Sequence, residues 1–431
     1  MKKNTFLLIA LGLSTLFPSA CQKKPERPNI IVIVVDALRA DHLPFYGYPK
    51  DTAPFLNKLS EHSSVFVHSY SASNWTVPSV GSILTSLYPF QHRVNTGNPT
   101  RVEEGEGNKH FAVSALADSI TTMAEILKSS GYHTFGTSSN FFVSPERGYA
   151  QGFDYFCKFP MKTDAKDIHA KLAEWEGEMR KGPYFLYVHY TDVHIPYRRR
   201  APWYEPGKSK RDDFISAYDS NIPYIDSKIE TLYRRLNWGH DTILVVTADH
   251  GDEFWEHGYR GHNRNLFNGS LCVPLLIYLP EGERAGRRIE PNISSLDILP
   301  TLCDYIGRKP DPQFEGRSLL PAMRGKAEYL VGRPIYAYVE RGSRRFRCIL
   351  RDNWKLIMTP EGNKSFLFDL KTDPDEKRNL AEKAQHTDRR LAMAHEYREF
   401  EKNSRKYEQK MVDMEFSRRQ IEELKALGYI H

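Results

Sequence analysis

The chain has 431 residues, of which 40% are hydrophobic and 12% aromatic, so it can bury a large core and general disorder is excluded. Its formal charge of +6 is mild for this length, and the sequence has no motif of a nucleic-acid-binding module. The five cysteines are widely spaced, which excludes a paired metal-ligand pattern and argues against a disulfide framework.

The N-terminus has the pattern of an export signal, because basic residues open it and an apolar run at 6–17 is too short to span a membrane. We therefore predict a signal peptide over residues 1–20. The pattern also resembles a bacterial lipoprotein signal, although Pro18 stands where that signal prefers Leu. We expect residues 21–28 to form a tether, lipidated at Cys21, that anchors an exported protein to the membrane in the periplasm or at the cell surface. Plain cleavage is the alternative.

Strands and helices alternate from residue 29 onward. The apolar runs at 29–35, 184–190 and 242–247 are typical of strands that are buried on both faces of a parallel sheet. We expect helices at residues 52–59, 123–130 and 215–236. This alternation predicts an α/β fold over residues 29–330, with a mostly parallel sheet sandwiched by helices and ligands beyond the carboxyl ends of its strands.

Polar residues follow these predicted strands directly. Asp36 follows the first strand, His194 follows the strand at 184–190, and Asp249 with His250 follows the strand at 242–247. Residues that are hundreds of positions apart are therefore expected to meet at one edge of the sheet.

Thr76 is expected at the same edge. The segment 73–89 has the pattern of a loop that enters a helix, because Pro78 suits the first helical turn and apolar residues recur at helical spacing. A hydroxyl just before a helix N-terminus faces free N–H groups and the positive end of the helix dipole, which suit an anionic ester. A lone Thr before a Pro is more often a simple helix cap, so the rest of the site has to decide its role.

The C-terminal part has a different pattern. Short strands separated by turn residues predict a smaller antiparallel sheet as a subdomain over residues 331–384. Residues 385–431 are highly charged, with apolar residues near helical spacing, and we expect a helical extension there.

The predicted edge of the sheet has ligands for one divalent cation, namely Asp36, Asp249 and His250. The Thr76 oxygen is a further ligand. Such an ion would lower the pKa of the Thr76 hydroxyl and neutralise a phosphate or sulfate ester. His194 or His262 would protonate the leaving group or hold the ester oxygens. Taken singly, each of these residues is explained equally well as a turn or cap residue.

An ordered set of segments resembles the sulfatases and their relatives in the alkaline-phosphatase superfamily. The matching segments are the metal-binding first strand at 28–39, the nucleophile motif at 76–89, the active-site histidine segment at 190–197, the second metal segment at 247–262, and later landmarks at 296–301 and 368–380. The resemblance covers about residues 28–385 and implies the sulfatase fold. It also implies a calcium or manganese ion, with magnesium or zinc as alternatives, and an anionic ester as substrate. His194 and His262 would line the ester pocket.

The sequence departs from the family pattern at the nucleophile. Sulfatases have Cys or Ser at the Thr76 position, which is converted to formylglycine, and Thr has no known route to that group. An Arg is usual where Val80 stands, a second Asp where Ala37 stands, and a Lys near residues 137–140. No formylglycine is expected, so Thr76 would attack directly, as in the phosphodiesterase and phosphoglycerol- or phosphoethanolamine-transferase relatives of the family.

Three hypotheses follow. The first is a metal-dependent hydrolase or transferase that attacks a phosphate mono- or diester with Thr76. The second is a sulfuric-ester hydrolase acting on a sulfated glycan or an aryl sulfate, and the third is a catalytically inactive exported binding protein. A two-metal variant also stays open, with Asp192, His194 and His262 as a second ligand set like that of the superfamily's zinc phosphodiesterases.

Overall fold

The fold is taken from a computed structural model that describes residues 27–95, 100–101, 109–283, 286–341 and 344–426. The predicted signal peptide and Cys21 lie outside the described residues. Among the helices of the described residues, none has both the length and the hydrophobicity that a membrane span requires.

The strands are β1 (Asn29–Val35), β2 (Ser64–Phe66), β3 (Ser69–Tyr70), β4 (Thr100–Arg101), β5 (Lys109–Ala115), β6 (His133–Ser138), β7 (Tyr155–Lys158), β8 (Tyr184–Tyr190), β9 (Thr242–Thr247), β10 (Glu253–Phe254), β11 (Arg260–Gly261), β12 (Leu275–Tyr278), β13 (Arg287–Ile289), β14 (Ile293–Ser294), β15 (Ile335–Arg341), β16 (Arg344–Arg351), β17 (Trp354–Met358), β18 (Ser365–Asp369) and β19 (Lys410–Phe416). The α-helices are α1 (Pro54–Ser60), α2 (Thr76–Thr85), α3 (Pro89–His92), α4 (Met123–Ser129), α5 (Ala165–Met179), α6 (Lys210–Asp219), α7 (Ile222–Arg235), α8 (Asn268–Leu271), α9 (Ile298–Tyr305), α10 (Leu320–Met323), α11 (Thr387–Asn403) and α12 (Arg418–Ala426).

Eight of these strands form the central sheet, in the order β13-β2-β12-β9-β1-β8-β6-β7. Only β12 runs against the others, since it pairs antiparallel with both β9 and β2. The first strand alternates between two apolar cores, with Ile30 and Val32 on one side of the sheet and Ile31 and Ile33 on the other. Burial of both faces explains the continuous β-branched run, and the predicted α/β architecture is confirmed.

The helix predicted over residues 215–236 is two helices. The first, α6, ends at Asp219, and α7 begins at Ile222 with Pro223 in its first turn. A proline lacks the N–H that a continuous helix would need at that position, so the chain starts a new helix there.

The small antiparallel sheet is present as predicted, in the order β15-β16-β17-β18. The prediction of a helical extension over 385–431 is wrong in part, because α11 ends at Asn403 and β19 follows it. This strand pairs antiparallel with β5 and buries Met414 and Phe416, which lie two residues apart. Only Glu415 separates these two residues. The alternation of buried and exposed residues is that of a strand, but the charged residues of the segment made it resemble an exposed helix.

A buried ion pair joins the C-terminal part to the main domain. Arg333 donates two hydrogen bonds to Asp297, at 2.9 Å to Oδ2 and 2.8 Å to Oδ1. Asp297 also accepts the backbone N–H groups of Ser294 and Arg317, at 2.9 Å and 2.7 Å. Both charged side chains are almost fully buried, so each depends on the other for its charge to be tolerated.

We expect Arg333→Met to lower the free energy of unfolding by about 3 kcal/mol, because it leaves the Asp297 charge buried without its partner. Urea unfolding of the soluble chain measures this loss. Arg199→Met removes an exposed ion pair with Asp213 and serves as the control, for which a much smaller change is expected. Equal losses in the two variants would contradict the structural role of the buried pair.

Candidate active site

Four neighbouring strands bring polar residues to the carboxyl edge of the central sheet. Asp249 lies two residues after β9, Asp36 directly after β1, His189 near the end of β8, and Asn140 two residues after β6. These strands are adjacent in the order β9-β1-β8-β6. All four side chains are fully buried, so the topology of the sheet alone gathers them into one cluster.

Thr76 reaches the cluster from helix α2, of which it is the first residue rather than the cap. Trp75 precedes it in an extended conformation. The Thr76 Oγ1 atom lies 3.4 Å from Asp36 Oδ2, 3.3 Å from His250 Nε2 and 3.3 Å from Asn140 Nδ2. The hydroxyl is therefore placed against the carboxylate and imidazole that the sequence predicted as metal ligands.

Backbone and amide donors fix the two carboxylates. Asp249 Oδ1 accepts the N–H groups of Ala37 at 3.3 Å and His250 at 2.9 Å, and Asp36 Oδ2 accepts a hydrogen bond from Asn140 Nδ2 at 2.8 Å. Asp36 Oδ1 and Asp249 Oδ2 have no hydrogen-bond partner among the described residues. A bound cation would satisfy two buried carboxylate oxygens of this kind.

The imidazole of His250 is oriented so that one ring nitrogen can bind the same cation. Its Nδ1 lies 2.9 Å from the Gly251 carbonyl, which makes Nδ1 the donor and leaves Nε2 as the acceptor in the neutral ring. That Nε2 lies 3.4 Å from Asp36 Oδ1 and 3.6 Å from Asp249 Oδ2. The ligand atoms of these three residues all lie within 4.8 Å of one another, which fits a single divalent cation.

The charges in the cluster perturb one another. Burial raises the pKa of Asp36, but the charges of His194, His250 and His189 and the hydrogen bond with His189 bring it below its ordinary value. Burial and the charge of Asp36 raise the pKa of Asp249. Two carboxylates this close do not both ionise readily, and a cation between them removes the conflict.

Asn140 and His189 are residues of the cluster that sequence reasoning missed. His189 Nε2 lies 3.5 Å from Asp36 Oδ2 and 3.9 Å from Asp249 Oδ2. A histidine inside a buried apolar strand was the available signal for His189. Asn140 lies in the segment 137–140, where the family pattern has a Lys, and an amide there carries no sequence signal of a site residue.

A second group lies beside the first. His262 Nδ1 donates to Asp252 Oδ1 at 2.7 Å, and the Tyr197 hydroxyl donates to Asp252 Oδ2 at 2.5 Å. The His262 ring lies 4.3 Å from that of His250 and 5.1 Å from that of His194, measured between centroids. Asp252 thus fixes the tautomer of His262 with the proton on Nδ1, so that Nε2 is left to exchange a proton with a substrate. The hairpin of β10 and β11 places His262 there.

The second ligand set that contained Asp192 is not assembled. Asp192 Oδ1 pairs with Arg200 at 2.7 Å, because its side chain turns toward the Arg200 guanidinium. The carboxylate that joins His250 and His262 is that of Asp252. His194 does lie in the pocket, where burial lowers its pKa to about 4.

Val80, at the position of the usual family Arg, is fully buried in the apolar core. Its side chain offers no charge to a substrate. The pocket therefore has fewer cationic side chains than the family pattern.

Comparisons with known proteins agree with this geometry. The family model described as "Sulfatase" matches residues 28–308, and that described as "N-sulphoglucosamine sulphohydrolase, C-terminal" matches residues 255–403. The choline-sulfatase of Rhizobium meliloti is 26% identical and covers 83% of each chain. The N-acetylgalactosamine-6-O-sulfatase of Bacteroides thetaiotaomicron is 23% identical over 88% of this chain and 96% of its own.

A solved structure, the phosphonate monoester hydrolase of Agrobacterium radiobacter, superposes with a TM-score of 0.72 at 19% sequence identity. It covers 86% of this chain and 94% of its own chain. At this identity the likeness supports the fold alone, and the expected sulfatase-type architecture is confirmed.

We expect calcium or manganese to raise the melting temperature of the soluble chain, by an amount equivalent to about 2.7 kcal/mol at a metal concentration of a hundred times Kd. Asp36→Asn should abolish this rise, because it removes one of the two carboxylates that face the cation. Asp192→Asn is the matched control and should keep it, since Asp192 pairs with Arg200 instead. Differential scanning fluorimetry measures both. A metal response that survives Asp36→Asn but not Asp192→Asn would refute the assigned ligand set.

Proposed function

The chain belongs to the sulfatase family of ester hydrolases, and from this premise we propose that Thr76 attacks a phosphate mono- or diester directly. The observation that carries this proposal is the position of the Thr76 Oγ1 atom, 3.4 Å from Asp36 Oδ2 and 3.3 Å from His250 Nε2 at the N-terminus of helix α2. A hydroxyl at that place faces both the cation site and the positive end of the helix dipole.

Four residues would hold one divalent cation: Asp36, Thr76, Asp249 and His250. Their mostly hard oxygen donors suit calcium or manganese. When bound, the ion lowers the pKa of the hydroxyl and offsets the charge on the ester oxygens.

The reaction has two balanced steps. The Thr76 hydroxyl gives its proton to solvent and its oxygen bonds to phosphorus, while the bond from phosphorus to the leaving oxygen breaks and that oxygen takes a proton from His262. Water or a second alcohol then attacks the phospho-Thr and gives its proton to His262. The bond between phosphorus and Thr76 breaks, and the Thr76 oxygen takes a proton from solvent. His194 would hold an ester oxygen during both steps.

A sulfate ester is the second candidate, and the names of the curated relatives favour it. The Thr76 side chain is the counterargument, because a plain alkoxide would leave a stable sulfo-Thr that must then be cleared. A binding protein without activity is the third candidate. The complete ligand set of Asp36, Asp249 and His250 weighs against it.

We also propose that the protein is exported and held at a membrane through a lipid on Cys21. The N-terminal pattern of basic, apolar and small residues before that cysteine supports this proposal. Metabolic labelling with a fatty-acid analogue, compared with Cys21→Ser, tests it.

Thr76→Val should lower kcat on an aryl phosphate ester by at least about a thousandfold, since it removes the hydroxyl while keeping the shape of the side chain. The assay uses matched aryl phosphate monoester, phosphate diester and aryl sulfate substrates, before and after metal removal. Turnover of the sulfate alone would favour the second candidate, and mass spectrometry of the Thr76 peptide would then identify the nucleophile. Full activity of Thr76→Val on every substrate would refute the proposal.

Asp252→Asn should lower kcat by about a hundredfold or more, because His262 loses the acceptor that fixes its tautomer. The loss should be greater for poor leaving groups than for 4-nitrophenol, which needs little protonation. A series of aryl esters of rising leaving-group pKa measures this dependence, and Asp213→Asn on the surface is the control. Losses that do not vary with the leaving group would exclude His262 as the acid.

A further inference from the structure

An anionic ester has to enter a pocket that is already rich in negative charge. Asp36, Asp249 and Asp252 are all fully buried there. One divalent cation offsets the first two. Attraction of a further anion then requires a positive side chain close to the pocket, and Val80 offers none.

Most positively charged side chains near this edge of the sheet already form ion pairs with carboxylates. Arg39 pairs with Asp41 and Glu256, and Lys355 pairs with Glu376. Arg200 pairs with Asp164 and Asp192. Their charges are balanced locally and contribute little to an incoming anion.

Lys162 differs from these residues. It lies in the loop between β7 and α5, and its Nζ donates to two backbone carbonyls, that of Thr191 at 3.0 Å and that of His194. No carboxylate of the described residues lies within ion-pair distance of it. Its acceptors are neutral, so its charge is not cancelled by direct contact.

The charge of Lys162 reaches the pocket. It interacts electrostatically with Asp192, which is already paired with Arg200, and also with Asp36, and it lowers the pKa of His194. Burial, as the largest cause, lowers the pKa of Lys162 itself to about 8, which leaves the ammonium mostly protonated at neutral pH.

The backbone of Lys162 gives an independent reason to assign it a role. Its φ is 62°, in the left-handed region that Gly adopts at much lower cost. In this conformation the side chain reaches the carbonyls of Thr191 and His194.

We propose that Lys162 is the positioning residue of the anion site. Its ammonium clamps the carbonyls of Thr191 and His194, so that His194 faces the ester oxygens, and its charge attracts a singly charged ester group. This assignment deepens the proposed function and rests on it for the identity of the substrate. It concerns binding of the anion, which can be measured without turnover.

The test is isothermal titration of the metal-loaded soluble chain with dimethyl phosphate, an inert singly charged diester, and separately with inorganic sulfate. Lys162→Met removes the charge at similar length. Lys162→Gly removes the side chain and relieves the left-handed backbone, so it should fold. We expect both variants to raise Kd at least tenfold. Lys158→Met is the matched control, since it breaks the Lys158–Glu146 surface pair and the contact of the ammonium with the Phe141 ring nearby, and it should leave Kd unchanged.

Each outcome decides the matter. An unchanged Kd in folded Lys162→Gly would overturn the role of Lys162, whichever ester is hydrolysed. A parent chain that binds metal but neither anion would overturn both this assignment and the proposed function. Anion binding that depends on Lys162 in a chain whose activity survives Thr76→Val would uphold the anion site and remove only the proposed nucleophile.

Discussion

The structure depends on two carboxylates that are held side by side in the interior of the protein. Asp36 and Asp249 are fully buried, and each keeps one oxygen that no described donor satisfies. Burying two like charges at this distance is unfavourable unless a cation lies between them. The chain does not let them separate, because the ends of β1 and β9 and the N–H groups of Ala37 and His250 hold both in place. These contacts fix both carboxylates, and a bound cation would offset the free-energy cost of holding them together.

The sheet explains why so much of this could be predicted from the sequence. Buried parallel strands have a local signature, a continuous β-branched run, and their carboxyl ends must meet at one edge. Three polar positions that follow such runs, at Asp36, His194 and Asp249, were placed together by that rule alone. Thr76 required a helix start as well, which Pro78 and the helical spacing supplied. The local sequence pattern and the topology of the sheet place these residues at the same edge, so the predicted fold is confirmed.

The sequence did not predict the roles of residues that belong to the site through tertiary contacts and not through a local sequence pattern. Asn140 belongs to the site only because β6 lies beside β8, and strand order is a tertiary property. Asp252 lies in the predicted second metal segment, but its hydrogen bond to His262 spans a hairpin and is a tertiary contact. The prediction for the segment that forms β19 was wrong for a related reason, since its pairing partner β5 lies about three hundred residues earlier in the chain. Charge and helical propensity described the segment locally, but pairing with β5, the central strand of the three-stranded sheet β19-β5-β4, determines its structure.

Under the proposed function, the charge of the pocket and the chemistry of Thr76 bear on which ester is the substrate. A divalent ion held by Asp36 and Asp249 would balance the charges of these two carboxylates, and Lys162 is the positive side chain that we propose for the incoming ester. A phosphate monoester carries between about 1.5 and 2 negative charges at pH 7, whereas a phosphate diester and a sulfate ester carry one. A singly charged ester would therefore need less compensating positive charge in this pocket than a phosphate monoester. Of the two, the diester suits Thr76 better, because a phospho-Thr can be resolved by water or an alcohol and Thr has no aldehyde hydrate with which to expel sulfate.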